Sequence, residues 1–237
     1  MNDHDEITET LGQIRGRRQF MKAALLGAAA LAMPACSTVP GFSLVDAVRR
    51  VLLLSSENAF ARLTENGGFW DGQVGALGVD QLLGLGGNSL TSFLTSAVFK
   101  SRLEDAFADI AEAGSEKAAP LVIDAVRNVG ITNAASIISG GPQAATSFLR
   151  GEMGNGLIEA MVPELGDAIS IASDPLVGQL INSVTGVDAG GIASRLSGTV
   201  NNAIWNEIGV EEAAIRADPN ATGDPLLIGV FGLGRAL

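Results

Sequence analysis

The sequence predicts one all-α domain preceded by a leader, and three observations support this. Of the 237 residues, 47% are apolar, which is enough to form a buried core. After residue 43, apolar residues recur at intervals of three and four, as amphipathic helices require. Sustained alternation of apolar and polar residues, which is typical of strands, is absent from the sequence, and no segment repeats at a fixed spacing of about 20–50 residues.

The first 35 residues have the parts of an export signal: a basic segment, a short apolar segment and a small residue before the cut. The apolar segment, residues 23–32, has about half the ~20 residues that a helix needs to span a bilayer, so a cleaved signal is favoured over a permanent span. The basic segment resembles the twin-arginine motif of proteins that are exported already folded. The residues that carry this resemblance are Arg17, Arg18, Phe20 and Lys22.

Ala35-Cys36 follows the apolar segment and resembles a bacterial lipobox, in which the cysteine is acylated and the chain is cut before it. Palmitate-type acyl chains would then hold the domain at a membrane, by about 0.8 kcal/mol per buried methylene. The alternative is a buried free thiol at Cys36. We expect a twin-arginine-type lipoprotein signal peptide over residues 1–35, a tether over 36–42 and a helical domain over 43–237.

The same resemblance implies where the protein is held. An Asp after the cysteine would favour retention at the inner membrane, and Ser37 stands there instead. The periplasmic face of the outer membrane is therefore favoured over that of the inner membrane. Maturation would need the twin-arginine export machinery and the lipoprotein signal peptidase as transient partners.

The residue types exclude several functions. A formal net charge of −11 argues against binding nucleic acid, which needs a basic face. From Cys36 onward the sequence has no His, no Tyr and no second Cys. It therefore excludes Ser-His-Asp and Cys-His catalysis, His-ligated metal sites and an internal disulfide framework. We expect no cofactor.

The first half of the domain is predicted to contain three or four helices. Ser43 is a good N-cap for a helix that ends near residues 66–68, and the Gly-rich stretch 69–88 is predicted to be a loop with short extended pieces around 74–79. Apolar spacing then predicts one or two helices that end at Gly114. Ser115 is predicted to cap the next helix, which carries Pro120 in its early turns and ends at Gly130.

The second half is also predicted to be helical. Thr132 is expected to cap a short helix through Ser139, Pro142 to lie in the first turn of another, and Pro163 to kink or break a third. A short helix is predicted near Leu176–Val184, and Asp188 is expected to cap a long one. The apolar stripe of the long helix is Ile192, Leu196, Val200, Ile204, Ile208 and Ile215. An apolar segment, Leu226–Phe231, follows near the C-terminus.

Three segments, in order, resemble a bacterial lipoprotein family catalogued only as a domain of unknown function, number 4197. They are Glu116-Lys117-Ala118-Ala119-Pro120, then Ile138-Ser139-Gly140-Gly141-Pro142-Gln143-Ala144-Ala145-Thr146, then Ile215-Arg216-Ala217-Asp218-Pro219 with Leu226-Leu227 and Val230-Phe231-Gly232 behind it. The resemblance covers about residues 44–232. It departs from the family at Pro142, where an Asp usually follows the glycine pair. It implies an exported lipoprotein but no catalytic residue, since the family has no established activity.

One candidate ligand patch consists of Thr146, Glu212 and Arg216. The turn over residues 140–146 leads into a helix whose free backbone N–H groups could hold a phosphate or a carboxylate. The bland alternative is a glycine C-cap before a new helix, with Thr146 bonded within that helix. Glu212 and Arg216 have the spacing of an intrahelical ion pair worth about 0.3–0.5 kcal/mol, near a helix C-terminus that favours a cation.

Three weaker candidates remain, each with a structural alternative that we favour. Glu207, Glu211 and Glu212 could supply two carboxylates for glycoside hydrolysis, or could be surface acids. Residues 218–224 resemble part of a calcium loop but lack its closing Glu, so a turn is the preferred interpretation. The two tryptophans are expected in the core rather than on a binding face. They are Trp70 and Trp205.

These observations favour a non-enzymatic, membrane-tethered periplasmic lipoprotein that binds an unknown envelope protein. One alternative is a carrier of an apolar ligand such as a lipid, enclosed between helices. A second alternative is a carboxylate-based hydrolase of envelope glycans.

Overall fold

A computed structural model describes residues 43–65, 68–77, 97–171 and 189–232. This part of the chain contains eight α-helices, one short 3-10 helix at Pro219–Thr222 and no strand, which confirms the all-α fold class. The helices are α1 (Leu44–Leu63), α2 (Phe69–Leu77), α3 (Ala97–Asn128), α4 (Ala134–Ile138), α5 (Ala144–Met153), α6 (Gly156–Ile171), α7 (Ala189–Ala217) and α8 (Pro225–Gly232). Among them, none has an apolar stretch long enough to cross a bilayer.

Helix α1 begins where the sequence predicts. Ser43 has an extended backbone, and its hydroxyl oxygen accepts a hydrogen bond from the Asp46 N–H at 3.2 Å. This bond satisfies one of the N–H groups that a helix start leaves without a partner. The apolar stripe of α1 faces the core, with Val48, Val51 and Leu52 fully buried.

Helix α7 is the centre of the core. It packs most extensively against α6 and α1, while α3 packs against α1, α2 and α6. All six residues of the predicted α7 stripe are buried. Their burial confirms the predicted stripe. A helix that packs against other helices along its length needs a continuous row of apolar residues on the packed face.

Helix α2 contradicts the predicted loop. Residues 69–77 are helical, so the extended pieces expected from Val74 onward are wrong as far as Leu77, and residues 78–88 lie outside the described part. Trp70 and Val74 are one helical turn apart, and both are buried in the core. Burial of this pair stabilises the helix despite the low helix propensity of the glycines in it.

Helix α3 contradicts two predicted boundaries, since it continues through Gly114, Ser115 and Pro120. The Ser115 hydroxyl donates to the Ala111 carbonyl within the helix at 2.9 Å, so Ser115 is not a cap. Gly114 serves packing: a Cβ there would lie 3.0 Å from Cδ2 of Leu165 on α6. Contact with α6 therefore explains the glycine that had indicated a helix end.

Three smaller boundaries also differ. Helix α4 begins after Asn133 rather than at a Thr132 cap, and α5 begins at Ala144, with Pro142 in the turn before it. Helix α6 runs through Pro163 without a break. The chain breaks earlier, at Gly154, whose positive φ of 53° is a backbone angle that glycine adopts at low cost. The helix expected near residues 176–184 and the Asp188 cap lie outside the described residues.

Candidate functional site

The Glu212 carboxylate lies at the N-terminus of α5 and is fully buried. Its Oε1 accepts from the Ala145 N–H at 3.0 Å, and its Oε2 accepts from the Thr146 N–H at 2.7 Å. The Thr146 hydroxyl donates to the same Oε2 at 2.7 Å. A carboxylate at a helix N-terminus is stabilised by free N–H groups and by the helix dipole. The anion site that the sequence indicates therefore holds a carboxylate of the chain itself.

Arg216 completes this cluster. Its Nε donates to Glu212 Oε1 at 2.7 Å, and its two Nη groups donate to the carbonyls of Ile138 and Ile137 at 2.9 and 3.0 Å. Those carbonyls are at the C-terminal end of α4, where a cation is favourable. The guanidinium also lies 4.6 Å from the ring centre of Phe231 on α8. We call Thr146, Glu212 and Arg216 the Glu212 cluster, which joins α4, α5, α7 and α8.

Two glycines lie in tight surroundings near the Glu212 cluster. A Cβ on Gly209 of α7 would lie 2.9 Å from the side chain of Gln143, which precedes α5. A Cβ on Gly140 would lie 2.7 Å from the Ala144 Cβ. A larger residue at Gly140 would collide with Ala144 and displace the start of α5, whose N–H groups hold Glu212, whereas at Gly209 the end of the flexible Gln143 side chain has to move aside.

The structure brings the three predicted residues of the ligand patch together. The hydrogen bonds of the Glu212 carboxylate go to protein groups, and the interpretation of Thr146 as bonded within its own helix is wrong, since it donates to Glu212 on α7. These residues act on one another, and the arrangement stabilises the fold. A role in ligand binding stays a prediction.

The other two carboxylates proposed for glycoside hydrolysis belong to a separate ion-pair group. Arg62 Nη1 lies 3.1 Å from Glu207 Oε2 and 3.2 Å from Glu211 Oε1, and Asn58 donates to Glu211 at 3.3 Å. The contact with Glu207 is an ion pair without hydrogen-bond geometry, because Oε2 has no aligned donor among the described residues. One guanidinium thus serves both carboxylates, in a geometry that links α1 to α7.

A pocket of 350 Å³ lies beside this group, between α1, α7 and the 3-10 helix. Its wall is mixed, since Leu54 and Ile215 are apolar while Glu211 and Asp218 carry charge. An apolar carrier needs a lining in which hydrocarbon predominates. This pocket therefore lends no particular support to the carrier alternative.

Residues 218–224 form a turn and a helix cap, as the preferred interpretation predicts. Gly223 has a φ of 63°, and Asp224 Oδ1 accepts from the N–H groups of Leu226 and Leu227 at the start of α8. Asp224 Oδ2 lies 2.6 Å from Arg50 Nε. Burial raises the pKa of Asp224, but the Arg50 hydrogen bond and the two N–H groups outweigh it and hold the pKa below its ordinary value.

In the described part of the chain, no group of three or more His, Cys, Asp and Glu side chains is placed to hold a metal ion. In the turn at 218–224 that resembled part of a calcium loop, Asp224 Oδ1 accepts from the first N–H groups of α8, and Thr222 Oγ1 accepts from the Asp224 N–H.

An acidic recess lies between the end of α1, α2 and α3, and sequence inspection did not single it out. It has a volume of 230 Å³. We define the acidic recess by its five carboxylate residues and Trp70. The carboxylates belong to Glu65, Asp71, Asp105, Asp109 and Glu112.

Within the part of the chain that the structure describes, the carboxylates of the acidic recess lack partner cations. None of the ion pairs formed within the described residues includes any of its five carboxylates. Burial raises the pKa of Glu112, and the negative charges of Glu116, Asp109 and Asp71 raise it further. The recess is therefore a place where an added positive charge would be favourable.

The tryptophans occupy different surroundings. Trp205 is 3% exposed, and its indole N–H donates to Asn201 at 3.0 Å, which confirms a core position. Trp70 is also 3% exposed and packs edge-on against Phe69, yet it lines the acidic recess. Its indole N–H has no acceptor in the described part of the chain. A buried donor without an acceptor costs about 1–3 kcal/mol.

A family model for proteins described as "Protein of unknown function (DUF4197)" matches residues 39–232. The chain belongs to this family. No curated protein and no solved structure shows a significant match to the chain. The match spans the whole described range, so the Glu212 cluster and the acidic recess are both parts of a DUF4197 domain. The finding agrees with the resemblance drawn from the three segments, and the family carries no assigned activity.

Proposed function

We propose that this DUF4197 protein is a lipid-anchored protein of the cell envelope that binds a partner and catalyses no reaction. The observation that carries the proposal is the position of Cys36, the single cysteine of the chain. It follows an export-type leader directly and precedes the N-cap Ser43 by a short tether, residues 36–42. A tether of this length, fully extended at about 3.3 Å per residue, keeps the domain within roughly 25 Å of the membrane.

The uses of the polar side chains support binding over catalysis. Glu212 and Arg216 bind each other and join helices of the fold. Glu207 and Glu211 are both paired with one arginine, Arg62. The acidic recess, in contrast, presents charge that has no counter-charge among the described residues. Groups left unpaired at a surface are available to a partner, whereas groups paired inside the fold are not.

The residue after the cysteine indicates which of the two membranes would hold the anchor. Ser37 favours the periplasmic face of the outer membrane over that of the inner membrane, by resemblance to sorted lipoproteins. The twin-arginine residues favour export after folding, which suits a helical domain because its many local contacts form fast.

Fractionation of cells tests the anchor. The wild-type protein is expected in the membrane fraction, and the Cys36→Ser variant in the soluble periplasmic fraction, because it lacks the acylated thiol. Ser37→Ala is the matched control, one residue away, and should stay with the membrane. A Cys36→Ser protein that stays in the membrane would overturn the proposed anchor, as would a wild-type protein in the soluble fraction.

A further inference from the structure

We propose that the end of the domain formed by α8 and the start of α1 lies against the lipid bilayer, with apolar side chains of α8 in contact with the lipid. This inference rests on the proposed anchor at Cys36 and deepens it by naming the surface that meets the membrane. Three observations lead to it: the composition of α8, its position beside the tethered end of α1, and the unpaired charge at the other end of that helix.

Helix α8 is apolar around its whole circumference and yet lies at the surface of the domain. None of its eight residues has a polar or charged side chain. Leu227 is buried in the core, and Phe231, one turn further on, packs against that core. Leu226, Ile228 and Val230 are partly exposed and are not among the core residues. A surface helix in contact with water normally has a polar face, and α8 lacks one.

The start of α8 lies beside the end of α1 that the tether joins. Asp224, directly before α8, accepts a hydrogen bond from Arg50 in the second turn of α1 at 2.6 Å. Ser43 caps the first turn of α1, so residues 36–42 enter the domain at this end. Fully extended, such a tether spans roughly 25 Å. Acylation of Cys36 therefore keeps the α8 end of the domain close to a bilayer.

Unpaired acids lie at the opposite end of α1. The helix has 20 residues and is about 30 Å long, and Glu65, just after it, belongs to the acidic recess. The charged groups that contact α8 are instead paired inside the fold, Asp224 with Arg50 and Arg216 with Glu212. Anionic lipids give a membrane surface a negative potential, which repels unpaired carboxylates. Electrostatics therefore favours an orientation with the recess away from the membrane and α8 towards it.

The contact with the bilayer is shallow. Helix α8 has 8 residues and is about 12 Å long, less than half of the ~30 Å hydrocarbon core of a bilayer. One side of it is already occupied by the domain, through Leu227 and Phe231. The remaining apolar side chains reach the boundary between lipid headgroups and acyl chains, as those of interfacial helices do.

Quenching of tryptophan fluorescence by brominated lipids tests this orientation. The protein is purified from membranes and reconstituted into vesicles of phosphatidylethanolamine and phosphatidylglycerol, with and without bromine on the acyl chains. The reporter is Val230→Trp on α8. The chain has two other tryptophans, both 3% exposed, so the reporter supplies about a third of the emission. We expect brominated lipid to quench most of that third, and to quench wild type little.

The matched control is Val98→Trp, at an apolar position in the first turn of α3 that is 67% exposed. Near the other end of α3, the Val126 carbonyl accepts from Arg49 at the start of α1. Val98 lies 28 residues earlier in the same helix, about 40 Å from this end of the domain. Val98→Trp should therefore show no more quenching than wild type, although its side chain is the more exposed.

A charge on α8 tests whether the apolar side chains make the contact. Leu226 is one turn before Val230 on the same side of α8, in the first turn, where an acid suits the helix dipole. In Leu226→Asp/Val230→Trp, quenching of the reporter should fall at least about twofold, because a carboxylate is disfavoured among acyl chains.

Three results would overturn the inference. They are no quenching in Val230→Trp while the protein floats with the vesicles, equal quenching in Val98→Trp and Val230→Trp, and undiminished quenching after Leu226→Asp. Circular dichroism checks that each variant is folded, and Leu226→Trp is the alternative reporter if Val230→Trp does not fold.

Failure of the anchor is seen separately, in the fractionation of wild type and Cys36→Ser. If wild type proves to be soluble, its free Cys36 thiol is coupled to a maleimide-bearing lipid, which restores a tether at the same residue. The orientation is then measured with the same reporters, so a wrong anchor and a wrong membrane-facing surface give different results.

Discussion

Replacement of Glu212 by glutamine tests the Glu212 cluster. The Glu212 side chain is fully buried, and it accepts hydrogen bonds from two N–H groups, one hydroxyl and one guanidinium. Glutamine has nearly the same shape, but it carries no charge, and its NH₂ group is a donor. In Glu212→Gln, a donor would therefore face donors at the N-terminus of α5 or at Arg216.

The magnitude follows from burial. Arg216 has 9% of its side chain exposed, so its charge would lose its carboxylate partner in a place that water barely reaches. Removal of one member of a buried ion pair costs about 3–5 kcal/mol. We expect Glu212→Gln to lower the free energy of unfolding by this amount. For a chain of this size, each kcal/mol corresponds to about 2–4 °C in melting temperature.

Urea unfolding followed by circular dichroism measures the loss. The control is Glu211→Gln, the preceding residue on the same helix, whose partner Arg62 has half of its side chain exposed. An ion pair of that kind contributes about 0–1 kcal/mol. Equal losses in the two variants would refute the argument from burial, and so would a Glu212→Gln protein within 1 kcal/mol of wild type.

A double-mutant cycle separates the pair from its members. Arg216→Met removes the charge and keeps most of the apolar stem. The double variant Glu212→Gln/Arg216→Met leaves no unpaired charge, so its loss should be smaller than the sum of the single losses by about 0.5–3 kcal/mol. Additive losses would show that the two side chains act independently.

Two further predictions concern turns that precede helices, one before α5 and one before α8. Gly140→Ala should destabilise the protein by about 1–3 kcal/mol in urea unfolding, because its Cβ would lie 2.7 Å from that of Ala144. Gly141 has open space around it, so Gly141→Ala should change the free energy of unfolding by less than about 0.5 kcal/mol. Similar losses in both variants would contradict this. The pKa of Asp224 lies below its ordinary value of 3.8, so ionised Asp224 stabilises the fold above that pH, and the contribution is lost as the pH falls through the lowered pKa. The stability advantage of wild type over Asp224→Asn should therefore be present at neutral pH and shrink at about pH 3, and an advantage of the same size at both values would contradict the assignment.

The long amphipathic helices could be predicted from the sequence because their signals are local. Ser43 caps α1 as expected, and the stripe from Ile192 to Ile215 is buried along α7. In both cases the residues that form the helix also determine which face is buried, so spacing alone contains the information.

Helix boundaries at Gly and Pro could not be predicted in the same way. Gly114 and Ser115 indicate a helix end and a new helix start, but α3 continues through both because α6 packs against it and Leu165 fills the space above Gly114. In α2, burial of Trp70 and Val74 outweighs the glycines. Tertiary packing decides these positions, and a single sequence does not contain it explicitly.

The candidate sites show the same division. The pairing of Glu212 with Arg216 follows from their spacing of four, but the contact of Glu212 with Thr146 joins residues 66 apart, which no local pattern indicates. The α3 acids of the recess, at positions 105, 109 and 112, do have the spacing of one helix face. The contributions of Glu65 and Asp71 depend on how α1 and α2 meet α3, and these could come only from the structure.

Intact mass spectrometry of the protein isolated from native membranes tests the central claim, that Cys36 is a lipid anchor. The expected mass is that of residues 36–237 with a diacylglyceryl group on Cys36, with or without a further acyl chain on the new amino group. No major species should have the mass of the unmodified chain. An unprocessed chain that begins at residue 1, or a processed chain with a free Cys36 thiol, would contradict the account.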